Sequence, residues 1–433
     1  MHIRRTLSRG LQITQILRNS PSRIYSQFRK NKILSYGTTL TLGILTLGVL
    51  SFQNCAPGSF RILDTAFPPV GSFDTLSCGA SMATATNTAV GGVDACVYLK
   101  NPYYQQMSKS SSTNSEILPP PLFGVSLSGL DDSGYLKNAD LQIIADYPVK
   151  KINDHDNQNG KWHYYSTPQD GIAQFSAYYY AQHILEFARR KIPTLTLSNL
   201  KINIGSSESG WAPSTNEIYL KRDSSGADLA YDGSLITYFT ALVIINKLSN
   251  GAAQVASDDP NHSHCGPSED QLYENDCCRN SVCTNALTSG MADYLVGVIF
   301  SEAPILSPPT LGEYPTNRAS GLGHCGLSRN LTEVYTLYNA YHACKSAPAQ
   351  IQNLGSVYGQ IWWQAREEAR KALQPSEFEK FDEFFLAHIE KLTNQDSDVT
   401  LLNKAQQIDT NKFQGKFFKY LNTTLATHQV SIR

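Results

Sequence analysis

The clearest pattern of apolar and polar positions lies at 231–250, YDGSLITYFTALVIINKLSN. There Asp232 caps a helical stretch that Asn250 and Gly251 close. Between Leu235 and Leu248 the one charged residue is Lys247, so this helix is apolar all round. Such a helix is either buried or in a membrane, and this one is too short to span a bilayer core. It therefore belongs at the centre of a fold, as does a second apolar helix that starts near Ala286 in TNALTSGMADYLVGVIF.

Other periodic segments surround these two. In SAYYYAQHILEFARRKIP, from Ser176, the residues Tyr180, Ile184, Leu185 and Ala188 share one helix face, and Pro193 is the stop. Two strand-like runs follow, LTLSNLKINIG and EIYLKR, separated by the turn-like SSESGWAPSTN. Upstream, the alternation of Leu141, Ile143 and Ala145 predicts short strands within 123–151. Towards the C-terminus SVYGQIWWQAREEARKAL reads as a helix ended by Pro375, and Ser376 with Glu379 forms a capping box for EFEKFDEFFLAHIEKL. Layer logic makes this order α+β, a small β-sheet region followed by a mainly α-helical lobe.

The N-terminal region changes the picture from a plain globular chain to an exported one. Residues 1–32 carry Arg4, Arg5, Arg9, Arg18, Arg23, Arg29, Lys30 and Lys32 without an acid, and 33–52 carry no charge. A basic n-region followed by an apolar h-region is a signal peptide or a signal anchor. The sequence LSFQNC that ends the run resembles a bacterial lipoprotein signal. That resemblance implies a lipidated Cys55 as the mature N-terminus and a membrane partner through the lipid anchor. Gln53 and Asn54 stand where such signals carry small residues, and an uncleaved anchor is the alternative. Ala56, in place of an aspartate after the cysteine, implies sorting to the outer membrane of the cell envelope, with the protein periplasmic or surface-facing.

Composition adds two constraints. Lysine and arginine number 36 against 37 acids, so no charge bias points to nucleic acid. Beyond Cys55 there are eight cysteines: Cys78, Cys96, Cys265, Cys277, Cys278, Cys283, Cys325 and Cys344. An even number in an exported chain reads as a disulfide set, with Cys78–Cys96 and Cys325–Cys344 suggested by proximity. The chain thus divides into 1–55, basic region and signal; 56–122, a Ser/Thr/Pro-rich linker with SKSSSTNSEILPPP near its end; 123–165, a small β element; and 166–433, the main domain.

The main domain carries a resemblance. The tyrosine-rich helix, the NEIYL strand, the helix beginning DGSLIT and the helix reading SGMADYL occur in an order similar to the gluzincin metallopeptidases of the thermolysin and fungalysin kind. NLGSVYGQIWWQAREEA resembles that family's tryptophan-bearing helix, and the likeness spans about 165–395. Laid on the family's His-Glu-x-x-His motif, the first zinc histidine falls on Tyr238, the catalytic glutamate on Phe239 and the second histidine on Leu242. The third ligand, a glutamate, falls on Ser289. A zinc peptidase needs imidazole and carboxylate ligands and a carboxylate to take a proton from bound water. These four residues supply none of that, so the resemblance implies a pseudoenzyme with no metal, no cofactor and no catalytic residue. Asp293 matches a carboxylate that orients a zinc histidine in the family. Here it is expected to accept a hydrogen bond from the Tyr238 hydroxyl, the alternative being a solvated helix residue.

The function this implies is binding or scaffolding at the cell envelope, with a peptide or protein partner gripped along NEIYL as an edge strand. Two alternatives stand beside it: a hydrolase or peptidase using other residues of the cleft, such as Asp293, Tyr238 or His342, and a purely structural or adhesion lipoprotein. Lesser constellations point to structure. His262, His264 and Cys265 lack a common ligand spacing, so a disulfide loop is preferred to a zinc site. His324 and Cys325 are chain neighbours and poorly placed as a nucleophilic pair. Asp154, His155 and Asp156 read as a solvated loop in preference to a Ca²⁺ site. Asn330 and Asn422 match glycosylation acceptors, which a bacterial lipoprotein does not use.

Overall fold

The computed structural model describes residues 95–98, 122–151, 162–163, 168–207, 209–222, 229–254, 281–301, 331–332, 334, 347–394, 396, 398–428 and 430. All lie in the larger of two compact units, Asp64–Arg433. The architecture is broadly α+β. Strands β1 (Ala95–Tyr98) and β2 (Leu122–Val125) form an antiparallel pair. Next come β3 (Leu141–Ile144) and the short antiparallel pair β4 (Lys150–Lys151) and β5 (Trp162–His163). Helix α1 (Pro168–Lys191) crosses to β6 (Leu200–Ser206), which is followed by β7 (Gly210–Ala212) and β8 (Glu217–Lys221). Helices α2 (Gly233–Leu248), α3 (Ser281–Phe300), α4 (Ala347–Ala372), α5 (Pro375–Ile389), α6 (Asp398–Phe413) and α7 (Phe418–Thr427) make the bulk.

The main sheet has the order β3-β6-β8-β7, with the first three strands parallel and β7 antiparallel. Parallel neighbours need a long crossover, and α1 supplies it between β3 and β6. Alternation along the strands buries Leu200, Ile202, Ile218 and Leu220 and leaves Lys201, Asn203, Glu217 and Tyr219 half-exposed. This order corrects the expectation for NEIYL: β8 is flanked by β6 and β7, and the edges of the sheet are β3 and β7. Trp211 pairs with Ile218 in a segment whose glycine, serine and proline had signalled a turn.

Local chemistry explains the helix limits. Asp232 Oδ1 accepts from the amides of Ser234 (3.0 Å) and Leu235 (3.2 Å), as the sequence predicts. At the other end Asn250 (φ 52°) and Gly251 (φ 86°) turn left-handed, and the Gly251 amide returns to the Asn246 carbonyl. The capping box at Ser376 is not formed. Pro375, with its fixed φ, takes the first helical position of α5, the N-cap is Gln374, and Ser376 lies already inside the helix. Helices α1, α3 and α4 begin before the points at which the apolar pattern starts, and α6 and α7 were not anticipated.

Helices α3 and α4 pack backbone to backbone. A Cβ on Gly290 would lie 2.1 Å from the Gly355 carbonyl oxygen, and one on Gly359 would lie 2.8 Å from the Gly290 carbonyl oxygen. Glycine at these positions is what permits the approach. Around the crossing sit Trp362, Phe381, Phe384 and Phe385, with the Tyr294 and Phe385 rings 4.0 Å apart. Arg366 Nε donates to Asp382 at 2.9 Å and Tyr294 donates to the same carboxylate at 2.7 Å, so one buried network ties α3, α4 and α5 together. Burial, and then the Asp382 charge, push the Tyr294 phenol well above its ordinary pKa. Among the described residues no helix is long and apolar enough to cross a membrane.

Candidate functional site

The positions singled out in the sequence meet where α2 crosses α3. Gly233 at the start of α2 lies against the Tyr180 ring, which a Cβ there would approach to 2.4 Å, so α1 fixes where α2 begins. One and a half turns later Tyr238 points to α3, and its hydroxyl lies 3.0 Å from Ser289 Oγ. Both residues are 5% exposed. Phe239 is buried with its ring edge-on to Tyr238 at 5.8 Å, and Leu242 is half-buried against the same core.

The Tyr238 hydroxyl thus has Ser289 within hydrogen-bond distance. Asp293 is one turn beyond Ser289, and its Cβ sits 3.2 Å from where a Cβ on Gly359 would be, so its side chain leaves α3 beside α4. The solvated alternative for Asp293 fails, because Asp293 is 0% exposed. Thr288, Ser356 and Gln360 are buried on the same two helices, and the α2–α3–α4 junction is therefore polar in composition while closed to solvent.

Chemically, two hydroxyls within hydrogen-bond distance in a buried junction hold helices together. They offer neither the imidazole nitrogens nor the carboxylate of a zinc site. Among the described residues no group of three or more His, Cys, Asp or Glu comes together in a way that could hold a metal ion. His262, His264, His324, His342, the acids and histidine at 154–156, Asn330, Cys55, Cys78, Cys265, Cys277, Cys278, Cys325 and Cys344 lie outside the described residues. Cys96 is on β1 and the backbone of Cys283 is in α3. Asn422 is exposed on α7, whereas Trp362 and Trp363 are buried in the core.

Two features escaped the sequence reading. The first is a set of histidines, His388 and His428 buried and His183 half-buried. His388 Nε2 lies 2.7 Å from the Tyr358 hydroxyl, with the Trp362 ring 4.7 Å away, and burial pulls its pKa down to about 3. Burial likewise holds His183 and His428 down to about 4. The second is an open groove of about 990 Å³ between the end of α2 and the α5–α6 turn, lined by Asn250, Lys391, Lys404, Gln407 and Lys412 among others. None of Tyr238, Phe239, Leu242, Ser289 and Asp293 lines it. Lys404 and Lys412 lie on one face of α6 at helical spacing, a signal that becomes readable only once α6 is known.

Comparison with protein-family models and with curated proteins finds no match to this chain.

Proposed function

We propose that the chain is an exported, lipid-anchored protein whose main domain keeps the layout of a gluzincin peptidase without its zinc chemistry, and that it acts by binding or scaffolding at the cell envelope. The observation that carries this reading is the Tyr238–Ser289 contact. The gluzincin resemblance assigns these two positions, on different helices, to ligands of one metal ion. In the fold their side-chain oxygens lie 3.0 Å apart. A ligand pair replaced by a hydrogen-bonded hydroxyl pair leaves the helix crossing intact and removes the chemistry. Phe239, at the position of the proton acceptor, has no group that can take a proton.

The sheet supports the same reading, since its short antiparallel edge strand β7 lies beside the strand that leads into α2. The test is zinc content and casein hydrolysis of the full chain purified in detergent and equilibrated with trace zinc. Absence of both agrees with the proposal. Zinc near one per chain together with hydrolysis would overturn it.

A further inference from the structure

We propose that the groove between the end of α2 and the face of α6 binds an acidic peptide segment. This rests on the binding role proposed above only in taking the partner to be a protein, and it names that partner's chemistry. The volume, about 990 Å³, is at the upper end of ordinary ligand pockets.

One wall is α6. Lys404, Gln407 and Asn411, with Ile408 and Lys412, recur at three- and four-residue spacing, so a single helix face lines the groove. The opposite wall is the left-handed turn at Asn250 and Gly251, and Lys391 and Asn394 close one end. Three lysines against the single carboxylate of Glu390 give the lining a positive balance. Lys404 is engaged by the fold, with its ammonium 2.6 Å from Asp396 and 3.0 Å from the Lys391 carbonyl. Among the described residues no acid pairs with the ammonium of Lys391 or Lys412, and Lys412 is held only by a ring contact, 5.6 Å from the centre of Phe413, which a carboxylate ligand can supplement.

The amides at Asn250, Asn394, Gln407 and Asn411 both donate and accept, as a peptide backbone requires of its partner. Among the described residues no aromatic side chain lines the groove, so these residues offer no face on which a sugar ring would stack. Side-chain carboxylates on the lysines and main chain on the amides is the match that uses both kinds of group.

The test is fluorescence anisotropy of labelled hexaglutamate and hexalysine with the full chain and with the double variant Lys391→Glu/Lys412→Glu. Both lysines are exposed, so the variant is expected to keep its helical circular dichroism. The expected result is binding of hexaglutamate, no binding of hexalysine, and a loss of affinity of about tenfold or more in the variant. The inference is overturned if hexaglutamate fails to bind at about 1 mM or if the variant binds it equally well. It is overturned also if an oligogalacturonate binds through these lysines while hexaglutamate does not. None of these results bears on zinc or hydrolysis, so failure here leaves the reading of the Tyr238 site where the metal assay puts it.

Discussion

The Tyr238 hydroxyl and Ser289 Oγ lie 3.0 Å apart across the junction of α2 and α3, although 51 residues separate them in the chain. Both are buried, so the bond forms where water does not compete with it.

Tyr238→Phe and Ser289→Ala should each destabilise the fold by about 1 kcal/mol, the net worth of a buried hydrogen bond. In urea titrations the double variant should cost less than the sum of the two, by roughly 0.5–1.5 kcal/mol. Strict additivity would mean that the two hydroxyls do not interact.

Gly290→Ala should be among the most damaging single changes. The added methyl would meet the Gly355 carbonyl oxygen at 2.1 Å, and a helix backbone cannot step aside as a side chain can. A loss of about 3 kcal/mol or more is expected, seen as a large drop in Tm. Gly210→Ala, where a Cβ meets nothing within 4 Å, is the control and should change Tm little.

The buried ion pair gives a third prediction. Arg366→Met leaves the Asp382 carboxylate in the core without the guanidinium that lies 2.9 Å away, and roughly 3–5 kcal/mol should be lost. A double variant with Asp382→Asn, which no longer strands a charge, should recover part of that loss in the same denaturation assay.

Acid should weaken the fold through its buried histidines. Burial holds His388 at about 3, whereas in the unfolded chain a histidine titrates near about 6.5. Between these values the unfolded chain binds the proton and the folded chain does not, so stability rises with pH. It is complete above about pH 7 and falls as pH drops below about 6.5, at roughly 1.4 kcal/mol per pH unit for this group. His183, held at about 4, adds in the same direction. His388→Gln should flatten the slope of stability against pH between about 6.5 and 5.

Much of this was legible in the sequence where one local rule acts alone. Asp232 capped its helix, Asn250 and Gly251 ended it, and the apolar runs in α2 and α3 became core, because each follows from backbone chemistry or from burial of a helix with no polar face. Competing signals hid the rest. Glycine and serine around Trp211 mask a three-residue strand that exists only because β8 pairs with it. Pro375 overrode the Ser376 box by fixing where α5 starts. That Ser289 comes within hydrogen-bond distance of Tyr238 depends on how α3 is rotated about its axis, which periodicity within α3 cannot give. The groove needs α6 brought opposite the end of α2, a relation between segments about 150 residues apart that no local pattern encodes.

In the proposed reading Tyr238, Leu242 and Ser289 stand where a zinc-binding triad would stand. The most direct measurement is zinc content of the full chain carrying Tyr238→His, Leu242→His and Ser289→Glu, beside the parent chain. About one zinc per chain is expected in the variant and none in the parent, because the two histidines would share a face of α2 with the glutamate opposite on α3. A folded variant that takes up no zinc, or a parent that already holds it, would overturn that reading.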